Sequence, residues 1–305
     1  MQTSKSPDQR RGFFFGITAY AIWGSFPLIV SAVSFASPWE IVAWRIVFGF
    51  LLAAAVVTFG RMWPKVKAVL KDRRMRNWQL AATALILINW EVYIYAVSQH
   101  NTIEAALGYF INPLVTIALG MIFLGEKLNT AQKVATAIGL IASVVLTIDY
   151  GRPPLVALSL AASFGLYGLA KSKLGGKVSP VISYSIESGV LLPVAILQLA
   201  LVGLTQPGIA FATHGFWGMF GLVMFGFFTA IPLIMFGSAA KRLPLKYVGF
   251  IQYLTPILQF ATAYFLFHEP MPPARWIGFI LVWASLAVLS ADALRGIRRR
   301  EFQKN

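Results

Sequence analysis

Apolar runs of about twenty residues recur along the whole chain, at 13–33, 39–59, 78–98, 103–124, 131–148, 154–170, 181–204, 216–239, 247–267 and 274–291. Each is about long enough to cross the hydrocarbon layer of a bilayer as a helix. Backbone N–H and C=O groups find no water in lipid, so only helices and closed barrels can span it. The short alternating strands of a barrel are missing here. Only 12% of the residues are charged, about half the usual share in a soluble domain. The expected fold is therefore an all-α integral membrane protein with ten transmembrane helices.

Lysine and arginine set the expected orientation. Of the 26 such residues, Arg152 and Arg275 fall in one set of alternate loops, Arg45 lies inside a span, and the other 23 fall in the opposite set and the two tails. The positive side faces the cytoplasm, so both termini are expected inside. Residues 1–11 and 293–305 are basic cytoplasmic tails. Span 1 exceeds the apolar core of a signal peptide and is expected to be retained.

The chain also repeats itself. A shift of 143 positions lays Tyr253-Leu254-Thr255-Pro256 under Phe110-Ile111-Asn112-Pro113, and His268-Glu269 under Gly125-Glu126. Residues 12–150 and 151–292 are thus read as two five-helix repeats. Five is odd, so the second copy enters from the opposite face and the repeats are inverted. Inverted repeats give many secondary transporters two oppositely facing states from one fold.

Several functions are excluded. The net charge of +15 sits in short loops between spans, which fits topology and lipid contact rather than nucleic acid. The stretch 61–77 mixes seven basic residues with apolar ones, as an amphipathic helix on anionic lipid would. There are no cysteines, and the three histidines are far apart, so no metal site is expected. No phosphate-binding loop, His-Glu-x-x-His or Gly-x-Ser-x-Gly occurs; no cofactor and no enzymatic activity are expected.

Charge inside a span is costly and marks a cavity or a partner. Arg45 lies roughly 9 Å into span 2 at the helical rise, with Glu40 or Glu91 as its candidate partner, or an anionic substrate group. Glu91 in span 3, flanked by Trp90, and Glu187 in span 7 are candidate proton sites, since a carboxylate can take up and release a proton as its surroundings change. Glu40 and Glu104 fall at outer span ends, within reach of water. Pro113 and Pro256 remove helical donors at repeat-related positions and are candidate hinges, with Asn112 and Thr255 just before them.

Asn89-Trp90, the run Glu104-Ala105-Ala106-Leu107-Gly108-Tyr109-Phe110-Ile111-Asn112-Pro113, Leu124-Gly125-Glu126, Ser163-Phe164-Gly165-Leu166-Tyr167-Gly168, Glu187 and Gly249-Phe250-Ile251-Gln252-Tyr253 resemble the RarD family. That family belongs to the EamA branch of the drug/metabolite transporter superfamily. The resemblance runs from about Gly12 to Asp292. It implies a permease for small metabolites or drugs, usually an exporter, in the bacterial inner membrane. Three positions depart from the family pattern: Trp44 stands where His often precedes the arginine, Glu91 where an apolar residue is usual, and His268 where the second half usually has Gly. Under this reading Trp23, Tyr109, Asn112, Tyr167, Gln252 and Tyr253 line the substrate path, and Arg45, Glu91 or Glu187 handles an anion or a proton. Spans 5 and 10 brace the halves or make a homodimer contact. The alternative reading is a membrane scaffold or sensor that transports nothing.

Overall fold

The computed structural model describes residues 7–98, 102–150, 155–205 and 208–266, and near the C-terminus residues 273, 276–278, 280–281, 283–285, 287–288 and 291. No strand occurs among the described residues. The helices are α1 (Pro7–Gly24), α2 (Phe26–Ser31), α3 (Pro38–Phe59), α4 (Trp63–Lys71), α5 (Arg73–Ser98), α6 (Thr102–Leu124) and α7 (Thr130–Tyr150), followed by α8 (Leu155–Leu174), α9 (Pro180–Thr205), α10 (Ala210–Thr213), α11 (Gly215–Arg242), α12 (Leu245–Gln252) and α13 (Leu254–Ala261). The first nine expected spans fall on these helices, span 1 divided between α1 and α2 and span 9 between α12 and α13. Among the described residues four helices, α3, α8, α9 and α11, are both long and apolar enough to cross a bilayer by length and composition. The outer surface is apolar as well: Leu204 is 83% exposed, Trp217 77% and Ile148 73%. Such a surface suits lipid and not water.

Helix ends follow local chemistry. Ser37 accepts from the Glu40 amide at the start of α3, with Pro38 in the first turn, where a missing donor is harmless. Asn129 and Gln132 cap α7 reciprocally, each side chain accepting from the other's backbone N–H at 2.8 and 3.1 Å, a capping box. The Gly125-Glu126 turn does more than end α6. Gly125 takes φ +66, and the Glu126 carboxylate accepts from the backbone N–H groups of Leu245 at 2.6 Å and Lys246 at 2.8 Å. It caps α12, 119 residues away, placing an anion at a helix N-terminus.

Close packing uses small residues. Gly249 of α12 sits against the Pro113 carbonyl and Ile117 of α6, and Gly226 of α11 against Phe48 and Gly49 of α3. Helices α5 and α6 pack on α8, α11 and α13 on α1, α3 on α9, and α6 on α12. A central core of Ile46, Ile86, Trp90, Tyr167, Tyr184 and Phe236 joins them.

The two repeat-related prolines sit differently in their helices. Pro113 lies inside the unbroken α6. Span 9 breaks at Tyr253, and Pro256 falls in the first turn of α13, where no helical donor is lost. Span 1 breaks at Ser25, ahead of Pro27. Pro27 leaves the Trp23 carbonyl without its helical donor, and Gln259 Nε2 donates to it at 3.4 Å. Stretch 61–77 does contain a helix, α4, but its Val66 and Val69 pack with Leu174, Val178, Ile182 and Ile186, so this face meets protein.

Candidate functional site

A cavity of about 950 Å³, counted to its open mouth, lies among α1, α2, α3, α5, α6, α8, α11, α12 and α13. Trp23, Phe26, Trp90, Tyr93, Tyr109 and Phe164 give it aromatic walls, and Arg45, Asn89, Asn112, Thr229, Gln252 and Gln259 give it polar groups. A largely apolar hollow with a few convergent polar groups is the usual form of a small-molecule site.

Arg45 is its most unusual member. It is 8% exposed, and its guanidinium stacks over the Trp90 ring, 3.9 Å from the centroid. Its Nε has no hydrogen-bond partner among the described residues. Among the described residues no carboxylate makes an ion pair with it. Tyr184, Tyr109 and Tyr93 surround it, and Glu91 interacts with it electrostatically without forming an ion pair. Tyr20 Oη and both side-chain polar atoms of Gln252 are buried with no hydrogen bond of ordinary geometry among the described residues, the two side chains lying within reach of each other, and both residues line the same cavity. Most of the other polar groups are at least partly committed. Asn89 donates to the Leu160 carbonyl and Ser163 Oγ at 3.0 Å. Asn112 accepts from Thr116 at 3.4 Å, and Thr255 donates to the Tyr20 carbonyl at 3.0 Å.

Six of the sequence-derived residues meet at this cavity: Trp23, Arg45, Trp90, Tyr109, Asn112 and Gln252. Four do not line it. Tyr253 turns into a second core with Phe110 and Ile117, because the helix break falls at its own position. Glu91 is part-buried and takes a 2.6 Å hydrogen bond from Gln198 of α9; it lies one position along α5 from Trp90, about 100° around the helix. Tyr167 stacks on Phe236 at 5.6 Å and donates to Glu187 at 3.1 Å.

Glu187 belongs to a separate buried cluster. It pairs with Lys171 at 2.6 Å, both side chains 3% exposed or less. It accepts from Gln79 at 2.9 Å. Lys171 also donates to Ser183 Oγ at 2.8 Å, and the Ser183 hydroxyl gives its own proton to Gln79 Oε1 at 2.7 Å. With span 6 expected to end at residue 170, Lys171 fell in the cytoplasmic segment that follows it. The structure corrects this, because α8 continues to Leu174. The available signal was the stripe Ser163, Tyr167, Lys171, polar at four-residue spacing on one helical face. Glu40 is also corrected. It is fully buried, accepts from the backbone N–H groups of Ala210 and Phe211 at 2.9 Å, and holds Trp44 Nε1 at 3.1 Å. It therefore serves α10 and not Arg45. His268 and the side chain of Glu104 lie outside the described residues.

Phe236 connects the two regions. Its ring meets Tyr20 at 6.2 Å, Trp23 at 5.9 Å and Phe164 at 5.2 Å on the cavity side, and Tyr167 on the other.

Residues 10–148 match the EamA-like transporter family. The chain is 41% identical to the protein RarD of Streptomyces exfoliatus, over 96% of this chain and 92% of that one. It is 36% identical to the uncharacterized transporter YojE of Bacillus subtilis, over 94% and 96%, and 33% identical to the protein RarD of Escherichia coli, over 95% and 97%. A solved crystal structure of a protein shares the fold, with TM-score 0.71 at 20% identity over 93% of this chain and 98% of that chain. With such identity over nearly its full length, the chain belongs to the RarD family of the drug/metabolite transporter superfamily, a multi-pass membrane transporter and not an enzyme.

Proposed function

We propose that the protein is a secondary active transporter that exports a small metabolite or drug across the bacterial inner membrane by alternating access. The cavity carries this reading. It is bounded by helices from both ends of the chain, and among the described residues Arg45 Nε, Tyr20 Oη and the Gln252 amide are buried with no hydrogen bond of ordinary geometry, Tyr20 and Gln252 having only each other nearby. Leaving a buried polar atom unpaired costs about 1–3 kcal/mol. A transported substrate is a partner that would offset this.

The frame for this reading is ten spans with both termini inside, divided at 150/151 into inverted halves. Helix pairing supports it: α5 and α6 pack on α8 as α11 and α13 pack on α1, while α3–α9 and α6–α12 each join repeat-related helices. Ser285 donates to the Ala135 carbonyl at 2.9 Å, which favours a bracing role for spans 5 and 10 over a homodimer contact. In this topology the cavity lies toward the outer face. The Phe236 layer and the Lys171–Glu187 cluster lie toward the cytoplasm and close that side. Inward opening parts them, with the chain breaks at Ser25 and Tyr253, and Pro113 and Pro256, as the hinge region. Protons couple through Glu187, exchanged between Lys171 and solvent, or through Glu91.

The test is uptake of a labelled metabolite and amphenicol panel into proteoliposomes under an imposed pH gradient, comparing wild type with Glu91→Gln and Glu187→Gln. Gradient-driven flux lost in either variant, with folding intact, supports coupling at that residue. Flux indifferent to pH and voltage removes proton coupling. Absence of flux for every compound favours the scaffold or sensor reading.

A further inference from the structure

We propose that the cavity recognises an organic monocarboxylate with a flat apolar body, its carboxylate seated on Arg45. This rests on the transport reading of the same cavity and names its substrate class. The argument starts from charge balance. A cation at membrane depth is costly unless a partner or water offsets it. Arg45 is more than nine-tenths buried, and no carboxylate pairs with it among the described residues. Stacking on Trp90 covers one face of the guanidinium but uses none of its in-plane N–H donors. Nε is left without an acceptor. The missing partner is an anion, and a planar fork of donors fits a carboxylate in bidentate fashion.

The rest of the lining narrows the class. Among the described residues Arg45 is the only charged one that borders the cavity. A single cation balances one negative charge, so a phosphate dianion would leave a charge unmatched. An ammonium group would find no carboxylate, so amines and zwitterionic amino acids are disfavoured. The aromatic rings of Trp23, Phe26 and Phe164 provide flat apolar surface for the body of the molecule. The Gln252 amide, which makes no hydrogen bond of ordinary geometry among the described residues and has the Tyr20 hydroxyl as its neighbour, offers donors and an acceptor for a neutral polar substituent.

The experiment uses the purified full chain in lipid nanodiscs and radiolabelled benzoate as probe. Competition is measured with benzamide (neutral), benzylamine (cationic), phenyl phosphate (dianionic) and phenylalanine (zwitterionic). Benzoate is expected to bind saturably, with benzamide weaker by about tenfold or more, the size of one charge-assisted contact. Arg45→Gln is expected to lose at least that factor, and Arg45→Lys to restore part of it. Gln252→Leu leaves the cation in place and is expected to weaken binding only a few-fold. Benzamide, benzylamine or phenylalanine binding as well as benzoate would overturn the proposal. So would unchanged benzoate binding in a folded Arg45→Gln variant, or no saturable benzoate binding at all. The two readings fail separately. If neutral or cationic compounds cross proteoliposomes while benzoate neither binds nor crosses, transport stands and the carboxylate proposal falls. If benzoate binds but no gradient moves it or anything else, the site stands and the transport reading falls.

Discussion

Lys171→Met is the substitution with the largest expected effect on stability. It strands the Glu187 carboxylate, whose side chain is 2% exposed and now 2.6 Å from the lysine nitrogen. Breaking a buried ion pair from one side costs about 3–5 kcal/mol. Two donors remain on Glu187, from Tyr167 and Gln79, so the lower end of that range is expected. The double substitution Lys171→Met with Glu187→Gln removes the stranded charge and keeps an amide oxygen that can accept from Tyr167 and Gln79. Gln79 and Ser183 still bond each other, at 2.7 and 3.0 Å. The double variant should therefore be no less stable than Lys171→Met alone. The assay is reversible denaturation in mixed micelles across all four members of the cycle. A Lys171→Met loss under about 1 kcal/mol, as expected for an exposed pair, would refute the reasoning. So would a double variant distinctly less stable than the single.

The other predictions use the same measurement. Arg45→Gln should stay within about 1 kcal/mol of wild type, because no partner carboxylate is stranded, yet it should abolish transport; a loss as large as that of Lys171→Met would mean Arg45 is a packing residue. Glu126→Ala uncaps two backbone N–H groups of α12 and should cost about 1–2 kcal/mol. Gly249→Val would bring a Cβ to 2.7 Å from Ile117 Cγ1 and 3.0 Å from the Pro113 carbonyl, an overpacking expected to cost about 1–3 kcal/mol, whereas Gly125→Ala meets no neighbour and is strained only by its φ of +66.

What the sequence made legible follows from the scale of each signal. Apolar runs are twenty residues long and survive any local exception, so the helices could be placed. Arg45 and Gln252 stood out because polar groups in apolar runs are few. Glu126 could be recognised as part of a turn, but its target is 119 residues away, and no local pattern reveals that. Lys171 was misplaced because the apolar run of span 6 ends at residue 170 and its charge read as the start of a loop, although its aliphatic stem lets it follow a helical face inward. Tyr253 and Tyr167 were assigned to the path from their kind. Their direction depends on the break at Tyr253 and on the Glu187 acceptor, which only the packed structure supplies. Glu91 reads the same way in sequence as a cavity carboxylate and as a partner for Gln198, and helical rotation alone separates the two.

Alternating access at this cavity can be tested without knowing the substrate. The chain has no cysteine, so Gln252→Cys provides a single thiol at the cavity wall. A membrane-impermeant maleimide is applied to right-side-out and to inverted vesicles. The account predicts labelling from both faces, slower from the cytoplasmic side, where Phe236 and the Lys171–Glu187 cluster must part first. Labelling from one face only, under every gradient imposed, would contradict it.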